Sequence, residues 1–492
     1  MEIDGKTRLI GLMGNPVEHT LSPVIHNGIS KRMGIPSVYM PFHVEAEGVG
    51  DAVRGAYALN VLGMNVTVPH KNAVKDYLVE MDEAAEHIGA VNTLVRMEDR
   101  CGYKGYNTDM MGLRRQIHED GIELAGQTVV ILGAGGAAKA VVYMCILDGA
   151  QTVYLLNRTV AKAEAIAEQM NQLQAEGRIT DTSYSVEQQV SNRIPIAEQK
   201  EDVIVGGMPK KDKTQVIPMA MQDYMSIPEG DLIVFQATSI GLSPHVDDVV
   251  LEDKAFYSKV RIGVDLIYNP ATTKFMKLVM EQGGKAYNAL KMLLYQGVIA
   301  YELWHNITVP QEIIEDIYVD LKRKVYPKDN YVLIGFMGSG KTTFGKALAA
   351  HCGMDFLDTD DYIEQQAGKT IAQIFAEDGE EAFRQIESDT LIQLRDSLHN
   401  TVVATGGGMP LRKENARLLK EIGTVNYLTA TCKEIYDRVK DDTKRPLLQT
   451  EDPYAKICQM MKERKPKYEA ACDKVIDTNS NDIGEIIGAI VG

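Results

Sequence analysis

Two glycine-rich loops, each set against an apolar run and ahead of a helix-forming stretch, constrain this chain more than any other feature. Gly133-Ala134-Gly135-Gly136-Ala137-Ala138 follows the apolar run 128–132, and Gly335-Phe336-Met337-Gly338-Ser339-Gly340-Lys341-Thr342 begins within the run 331–336. Glycines in such loops let backbone N–H groups approach phosphate oxygens, and the N-terminus of the following helix adds a favourable dipole. The second loop fits G-x-x-x-x-G-K-[ST]. Its Lys341 is placed to reach the β- and γ-phosphates and its Thr342 hydroxyl to ligate Mg²⁺, so this part of the chain binds a nucleoside triphosphate. The first loop fits G-x-G-x-x-A, a dinucleotide loop with alanine at its third conserved place. At the end of the next apolar run, where an NAD site carries an acidic residue for the ribose 2′-hydroxyl, the sequence reads Asn157-Arg158-Thr159. A cation and a hydroxyl there favour a 2′-phosphate, hence NADP.

Apolar runs and helical patterns alternate along the chain, with runs at 8–13, 61–68, 128–132, 152–156, 232–236 and 262–267, then at 331–336, 401–404, 424–428 and 474–477. Such alternation predicts an α/β fold of parallel sheets covered by helices on both faces. At about 150 residues per domain, the 492 residues make roughly three domains. The helical pattern at 311–324 ends in Lys322, Arg323 and Lys324, which suits a helix C-terminus, and Pro327 blocks its continuation. A boundary is therefore expected at 325–329. The stretch 171–229 is polar and lacks strong periodicity, which reads as an insertion with partial structure.

Charge and cysteine usage narrow the function. A formal net charge of −16 argues against general nucleic-acid or membrane-surface binding. An anionic ligand must then be held locally, by Arg, Lys, backbone N–H or Mg²⁺. The six cysteines are scattered without a Cys-x-x-Cys pair, as expected of reduced thiols rather than a zinc site. His19, His26 and His70 have no metal-binding spacing, so packing and capping roles are expected for them. No apolar run approaches the roughly 18 residues of a membrane helix, and the first residues lack the basic and apolar regions of a signal peptide. A soluble, cytoplasmic protein is the expectation.

Behind the second loop come Asp358-Thr359-Asp360, Phe383-Arg384-x-x-Glu387, Gly406-Gly407-Gly408, Lys444-Arg445-Pro446-Leu447-Leu448 and Arg464-x-Pro466-x-Tyr468. Asp358 and Asp360 read as neighbours on one face of a strand, one near a Mg²⁺-bound water and the other near an acceptor hydroxyl. In this order the set resembles shikimate kinase across nearly all of 331–492. The resemblance implies a P-loop kinase fold with a mobile lid. It places Asp358 near Mg²⁺ and Asp360 on the shikimate hydroxyls, and makes Arg384 and Arg464 clamps for the substrate carboxylate. It brings Gly407 and Gly408 close to the ring, makes Arg445 the lid arginine on the transferring phosphate, and sets Arg438 against adenine. Gly338, Ser339, Gly340, Lys341, Thr342 and Thr343 would hold ATP. Bidentate arginine suits a small rigid carboxylate, and a transferring phosphoryl group calls for positive charge more than for a strong base.

The first 110 residues carry Gly14-Asn15-Pro16-x-x-His19-Thr20-Leu21-Ser22-Pro23, Asn65-Val66-Thr67-Val68-Pro69-His70-Lys71, Gly89-Ala90-Val91-Asn92-Thr93 and Asn107-Thr108-Asp109. Later come Ala237-Thr238-Ser239-Ile240-Gly241, Asp265-Leu266-Ile267-Tyr268-Asn269-Pro270 and Gln296. These resemble shikimate dehydrogenase through about residue 324, apart from the insertion. The resemblance implies a substrate-binding domain at 1–108, completed by helices at 288–324, and a Rossmann NADP domain at 109–287, with the kinase-like P-loop domain at 330–492. Lys71 and Asp109 would form the catalytic pair, with Lys71 supplying the proton to a ketone oxygen. Thr20, Ser22 and Tyr268 would hold the carboxylate, and Thr67, Asn92, Asp109 and Gln296 the ring hydroxyls. Gly133, Ala134, Gly135, Gly136, Ala137, Asn157, Arg158, Thr159 and Thr238 would contact NADP. Thr20 stands where the family usually has serine, which keeps the hydroxyl and adds a methyl group.

Together the resemblances imply a bifunctional enzyme of aromatic amino-acid precursor synthesis. NADPH-dependent reduction of 3-dehydroshikimate would be followed by MgATP-dependent phosphorylation of shikimate. The alternatives are one active half beside a silent or regulatory binding module, or a quinate/shikimate dehydrogenase fused to a small-polyol kinase.

Overall fold

The computed structural model describes residues 3–179, 213–440, 450 and 452–491. It divides into two compact units, Met1–Leu321 and Lys322–Gly492. The division falls just ahead of the expected 325–329.

The first unit holds two sheets. One comprises β1 (Arg8–Gly14), β2 (Ser37–His43), β3 (Gly63–Val66), β4 (Glu80–Met81), β5 (Thr93–Arg96) and β6 (Tyr103–Tyr106), in the order β2-β1-β3-β5-β6-β4. This sheet is mixed, not parallel throughout: β5 runs antiparallel to both β3 and β6. The short connection from β5 to β6 suits their antiparallel pairing, whereas a parallel neighbour needs a crossover of a dozen or more residues.

The other sheet comprises β7 (Thr128–Leu132), β8 (Thr152–Asn157), β9 (Gln215–Ala220), β10 (Leu232–Gln236), β11 (Val260–Asp265) and β12 (Lys285–Asn288). Its order, β12-β11-β10-β7-β8-β9, is parallel throughout. Every residue of β10 is buried, as expected of a strand covered on both faces. The chain winds outward from β7 to β9, then returns to place β10 beside β7. The carboxyl ends of β7 and β10 therefore form the switch point at which open α/β sheets bind ligands. Of the stretch 171–229, residues 180–212 lie outside the described residues. The remainder contains the end of the helix Val160–Ala175, all of β9, and a 3₁₀ turn at Met221–Ser226.

The two sheets of this unit are joined through helices. Leu290–His305 packs on Thr108–Glu119, where a Cβ on Gly112 would come within 2.6 Å of Gln296 N, so only glycine permits the approach. At its far end Trp304 donates its indole N–H to Leu94 O at 2.8 Å, tying this helix to β5.

The second unit is a five-stranded parallel sheet of β13 (Tyr331–Ile334), β14 (Asp355–Asp358), β15 (Thr401–Ala404), β16 (Thr424–Thr429) and β17 (Lys474–Asp477), in the order β14-β15-β13-β16-β17. The central β13 leads into the glycine loop and the helix Lys341–Cys352. Among the described residues of both units, no helix is long and apolar enough to cross a membrane.

Candidate active sites

In the first unit, a cavity of about 310 Å³ is lined by Thr20, Ser22, Thr67, Lys71, Asn92, Asp109, Tyr268 and Gln296, with His19, Asn65 and apolar side chains between them. These residues come from six separated stretches of sequence. Lys71 lies just beyond β3, and Asp109 in the first turn of the helix Thr108–Glu119, whose N-cap is Asn107. Lys71 Nζ donates to Asp109 Oδ2 at 2.6 Å, both side chains keeping part of their surface open. The Thr20 hydroxyl donates to Ser22 Oγ at 3.2 Å, so the two hydroxyls sit side by side ahead of the helix Ser22–Met33. Asn92 Oδ1 accepts from Thr108 N at 2.7 Å, which anchors the start of the helix bearing Asp109. Gln296 donates to Leu293 O at 2.8 Å and presents its edge to the cavity. Burial pushes the Tyr268 phenol above its ordinary range, keeping it a neutral hydrogen-bonding group.

Two of the three histidines are structural. His26 is buried, pairs with Asn65 Oδ1 at 3.1 Å, and is pushed down to about 3 by burial, so it stays neutral. His70 is buried against Val44 O at 2.7 Å. Asn65, which sequence reasoning did not single out, is a hub beneath the cavity. Its Oδ1 accepts from Tyr39 and pairs with His26, while its Nδ2 donates to Asn92 O and Thr93 Oγ1.

The dinucleotide loop lies at the switch point. Gly133 has φ +111, and a Cβ there would meet Thr238 Cγ2 at 2.8 Å and Ala237 O at 3.1 Å. Around Gly135 and Gly136 nothing lies within 4 Å of a Cβ position. The loop is thus tight against the sheet and open toward solvent, the cradle a pyrophosphate needs at the N-terminus of the helix Gly136–Leu147. Ala134 and Ala137 flank that opening. Arg158 and Thr159 are exposed just beyond β8, and Asn157 Nδ2 holds their turn through Thr159 O at 2.9 Å. A guanidinium in the open there fits a 2′-phosphate.

In the second unit the glycine loop takes left-handed backbone at Gly335 (φ +148), Gly338 (φ +76) and Gly340 (φ +91). Lys341 Nζ donates to Gly335 O at 2.9 Å and Phe336 O at 3.1 Å, folding the ammonium into the loop. Ser339 Oγ is buried with no hydrogen-bond partner, an orphan hydroxyl inside a phosphate loop. Thr342 donates to Asp358 Oδ2 at 2.8 Å, and Thr343 follows in the same helix turn. Backbone N–H groups, an ammonium, and a hydroxyl paired with a carboxylate fit a Mg²⁺-nucleotide.

The Asp358–Asp360 pair is not on one strand as expected. Asp358 ends β14 and caps the helix Thr359–Ala367, accepting from Asp360 N at 3.1 Å, while Asp360 lies in the first helical turn. An Asp-x-Asp at the end of an apolar run is also a helix N-cap with an acidic first turn, and the helix signal prevails here. Asp360 is pushed up to about 6, first by burial and then by Asp358, with Lys341 pulling the other way.

The glycine triplet packs onto these groups. A Cβ on Gly406 would sit 2.5 Å from Asp360 Oδ1, one on Gly408 would overlap the Arg384 guanidinium, and Gly407 O accepts from Tyr468 at 2.6 Å. Gly406, the glycine sequence reasoning left without a role, is the one set against Asp360. Arg384 donates to Glu387 at 2.8 Å and Glu380 at 3.1 Å. Arg464 lies over the Phe336 ring at 5.7 Å. Arg438 donates to Gly338 O, Thr478 O and Asn481 Oδ1, bracing the phosphate loop against the chain beyond β17. Arg445 lies outside the described residues.

A hydroxyl-lined cavity with an ammonium–carboxylate pair, in the same unit as a dinucleotide loop, defines an oxidoreductase of small polar substrates; the second unit is a P-loop phosphotransferase. Family models agree: residues 12–94 match the shikimate dehydrogenase substrate binding domain, 113–188 the shikimate / quinate 5-dehydrogenase family, 290–317 the shikimate 5′-dehydrogenase C-terminal domain, and 337–492 shikimate kinase. The NADP⁺-dependent shikimate dehydrogenase of Desulforamulus reducens is 37% identical over 316 residues, 64% of this chain and 96% of that protein. The Methanopyrus kandleri counterpart is 35% identical, covering 65% and 98%. Shikimate 5-dehydrogenase of Listeria monocytogenes, solved with shikimate and NAD, is 30% identical with TM-score 0.52 over 64% of this chain and 98% of that one. A chorismate mutase/shikimate 5-dehydrogenase fusion from Clostridium acetobutylicum is 29% identical with TM-score 0.51, covering 65% and 98%. The chain belongs to the shikimate dehydrogenase family and carries a shikimate kinase domain at its C-terminal end, which makes it a bifunctional shikimate-pathway enzyme.

Proposed function

We propose that the first unit reduces 3-dehydroshikimate to shikimate and that the second phosphorylates shikimate at its 3-hydroxyl. The observation that carries the first assignment is the convergence of Thr20, Ser22, Thr67, Lys71, Asn92, Asp109, Tyr268 and Gln296 on one cavity. When bound, NADPH supplies a hydride to the ketone carbon. Lys71 delivers a proton to the ketone oxygen as that oxygen gains charge, and Asp109, 2.6 Å from Nζ, holds the ammonium in place. Thr20, Ser22 and Tyr268 bind the carboxylate with neutral donors, while Thr67, Asn92 and Gln296 fix the ring hydroxyls. Gly133, Ala134, Gly135, Gly136, Ala137 and Thr238 bound the pyrophosphate, and Asn157, Arg158 and Thr159 the 2′-phosphate.

In the second unit MgATP supplies the phosphoryl group. Asp360 accepts the proton of the attacking hydroxyl, Lys341 neutralises phosphate oxygens, and Arg384 and Arg464 hold the substrate carboxylate beside Gly407 and Gly408. Thr342 and Asp358 hold the metal. Arg445 serves the transferring group and Arg438 the adenine side. The domains are assigned as 1–108 with 288–324 for the substrate, 109–287 for NADP and 330–492 for the kinase, and the location as cytoplasmic.

One incubation of the purified chain with 3-dehydroshikimate, NADPH and MgATP tests the reading by mass spectrometry. Shikimate 3-phosphate, dependent on both NADPH and ATP, is expected. Shikimate that accumulates unphosphorylated would remove the kinase assignment, and absence of reduction would remove the other. Quinate offered with NADP⁺ in a parallel reaction tests the second reading, which the family name of residues 113–188 raises.

A further inference from the structure

Buried polar side chains at the carboxyl ends of two core strands serve neither proposed reaction directly. Gln236 ends β10 and Asp265 ends β11; they are 1% and 0% exposed. Gln236 Oε1 accepts from Thr238 N at 2.6 Å and from the Thr238 hydroxyl at 2.7 Å. Its Nε2 donates to Ile240 O at 3.1 Å and to Asp265 Oδ1 at 3.2 Å. Asp265 Oδ1 also accepts from Ile267 N at 3.0 Å, and Oδ2 accepts from the Thr273 hydroxyl at 2.6 Å. Gln236 thereby uses both lone pairs and both N–H groups, so its amide has a single satisfied orientation.

The loops held by this network reach different ligands. Thr238, fixed by Gln236, is the residue that Gly133 would strike if it carried a Cβ, so its position sets the width of the dinucleotide cradle. Tyr268, one residue beyond the Ile267 amide that Asp265 holds, lines the substrate cavity. The two loops are coupled through the Gln236–Asp265 bond.

We propose that Gln236 and Asp265 act as positioning residues that set the cofactor loop and the substrate loop of the dehydrogenase together, so that loss of their hydrogen bonds weakens binding of both ligands. The inference rests on the assignment of Thr238 to the dinucleotide and Tyr268 to the substrate. A buried network whose central amide has no spare donor or acceptor has one low-energy arrangement, and breaking that amide frees both loops at once. Burial also pushes Asp265 up to about 6, while the hydrogen bonds from Thr273, Ile267 and Gln236 pull the other way.

The test is steady-state kinetics of Gln236→Met in the full-length chain, with circular dichroism and the thermal midpoint of the same preparation as measures of intact protein. The KM values for NADPH and 3-dehydroshikimate should each rise about tenfold, the size of one or two lost hydrogen bonds. The kcat at saturation should stay within about twofold, because Gln236 touches no reacting atom. A residue that only fills the core would lower the thermal midpoint and leave both KM values alone, and that outcome overturns the proposal. A rise in one KM alone overturns the coupling. If Gln236→Met does not fold, Thr273→Val removes an Asp265 partner outside the strands and should raise both KM values two- to threefold; unchanged values overturn the proposal. Wild-type protein without dehydrogenase activity would instead remove the underlying assignment, so the two failures are distinct.

Discussion

The cavity of the first unit surrounds the Lys71–Asp109 pair with neutral hydroxyl and amide groups, whereas the second unit sets Lys341, Arg384 and Arg464 among Asp358, Asp360 and Glu387. The contrast follows from the chemistry each site is read to perform. Ketone reduction develops charge at one oxygen, and one positioned proton donor answers it. Phosphoryl transfer moves a group with several charged oxygens, so cations must be fixed before reaction. Fixed cations in turn need carboxylates to hold them: Arg384 is gripped by Glu387, which is 1% exposed and pushed upward by burial despite its partner. A neutral site positions its donors by backbone turns and caps; a charged site needs counter-charges behind it.

The largest effect should separate the halves outright. Lys71→Met is expected to lower dehydrogenase kcat by ~10²–10⁴, the usual contribution of a general acid, with kinase kcat unaltered in the same preparation. Lys341→Met should lower kinase turnover by ~10²–10³, comparable to loss of one preorganised charge donor, with NADPH oxidation intact. Loss of both activities in either variant would break the comparison.

Gly408→Ala should force the Arg384 guanidinium aside and raise the kinase KM for shikimate about 10- to 100-fold, as expected for lost charge-assisted bonds. Steady-state kinase kinetics of the variant at varied shikimate check this. Arg158→Ala should cut the preference for NADPH over NADH about tenfold or more, through KM for NADPH, since its partner would be a phosphate.

The smallest effect concerns stability and pH. Asp360 takes its proton near pH 6 in the folded chain and near 3.8 as an isolated side chain. Between those values the native state binds more protons than the unfolded one. This residue's contribution to stability is therefore greatest below 3.8 and is lost as pH rises toward 6. Asp360→Asn should raise the unfolding midpoint of the ligand-free kinase domain at pH 7 by a few degrees while removing turnover. The wild-type kinase rate should fall as pH drops below about 6, where the carboxyl can no longer accept a proton.

Much of the parallel framework is legible in the sequence. The apolar runs 128–132, 232–236, 401–404 and 474–477 coincide with β7, β10, β15 and β17. Strands that escaped the pattern are short or half-covered. β6, Tyr-Lys-Gly-Tyr, alternates buried and partly exposed residues, and β2 loses burial toward its end. Asp358-Thr359-Asp360 misled because strand periodicity and helix capping share the same residues. Gln236 and Asp265 left a signal in principle, as polar residues closing two apolar runs, but only the neighbouring order of β10 and β11 makes them partners.

The sequence by itself determined the two phosphate loops, the alternation that builds parallel sheets, and the residue types from which each site is drawn. These are local properties: backbone freedom at glycine, hydrophobic period, and charge at a helix start. The tertiary structure decided which side chains meet. Asp109 reaches Lys71 because Asn92 anchors its helix, and Gln296 reaches the cavity because Gly112 lets two helices touch. Such meetings depend on strand order and on packing between segments distant in sequence, and local periodicity carries no information about either.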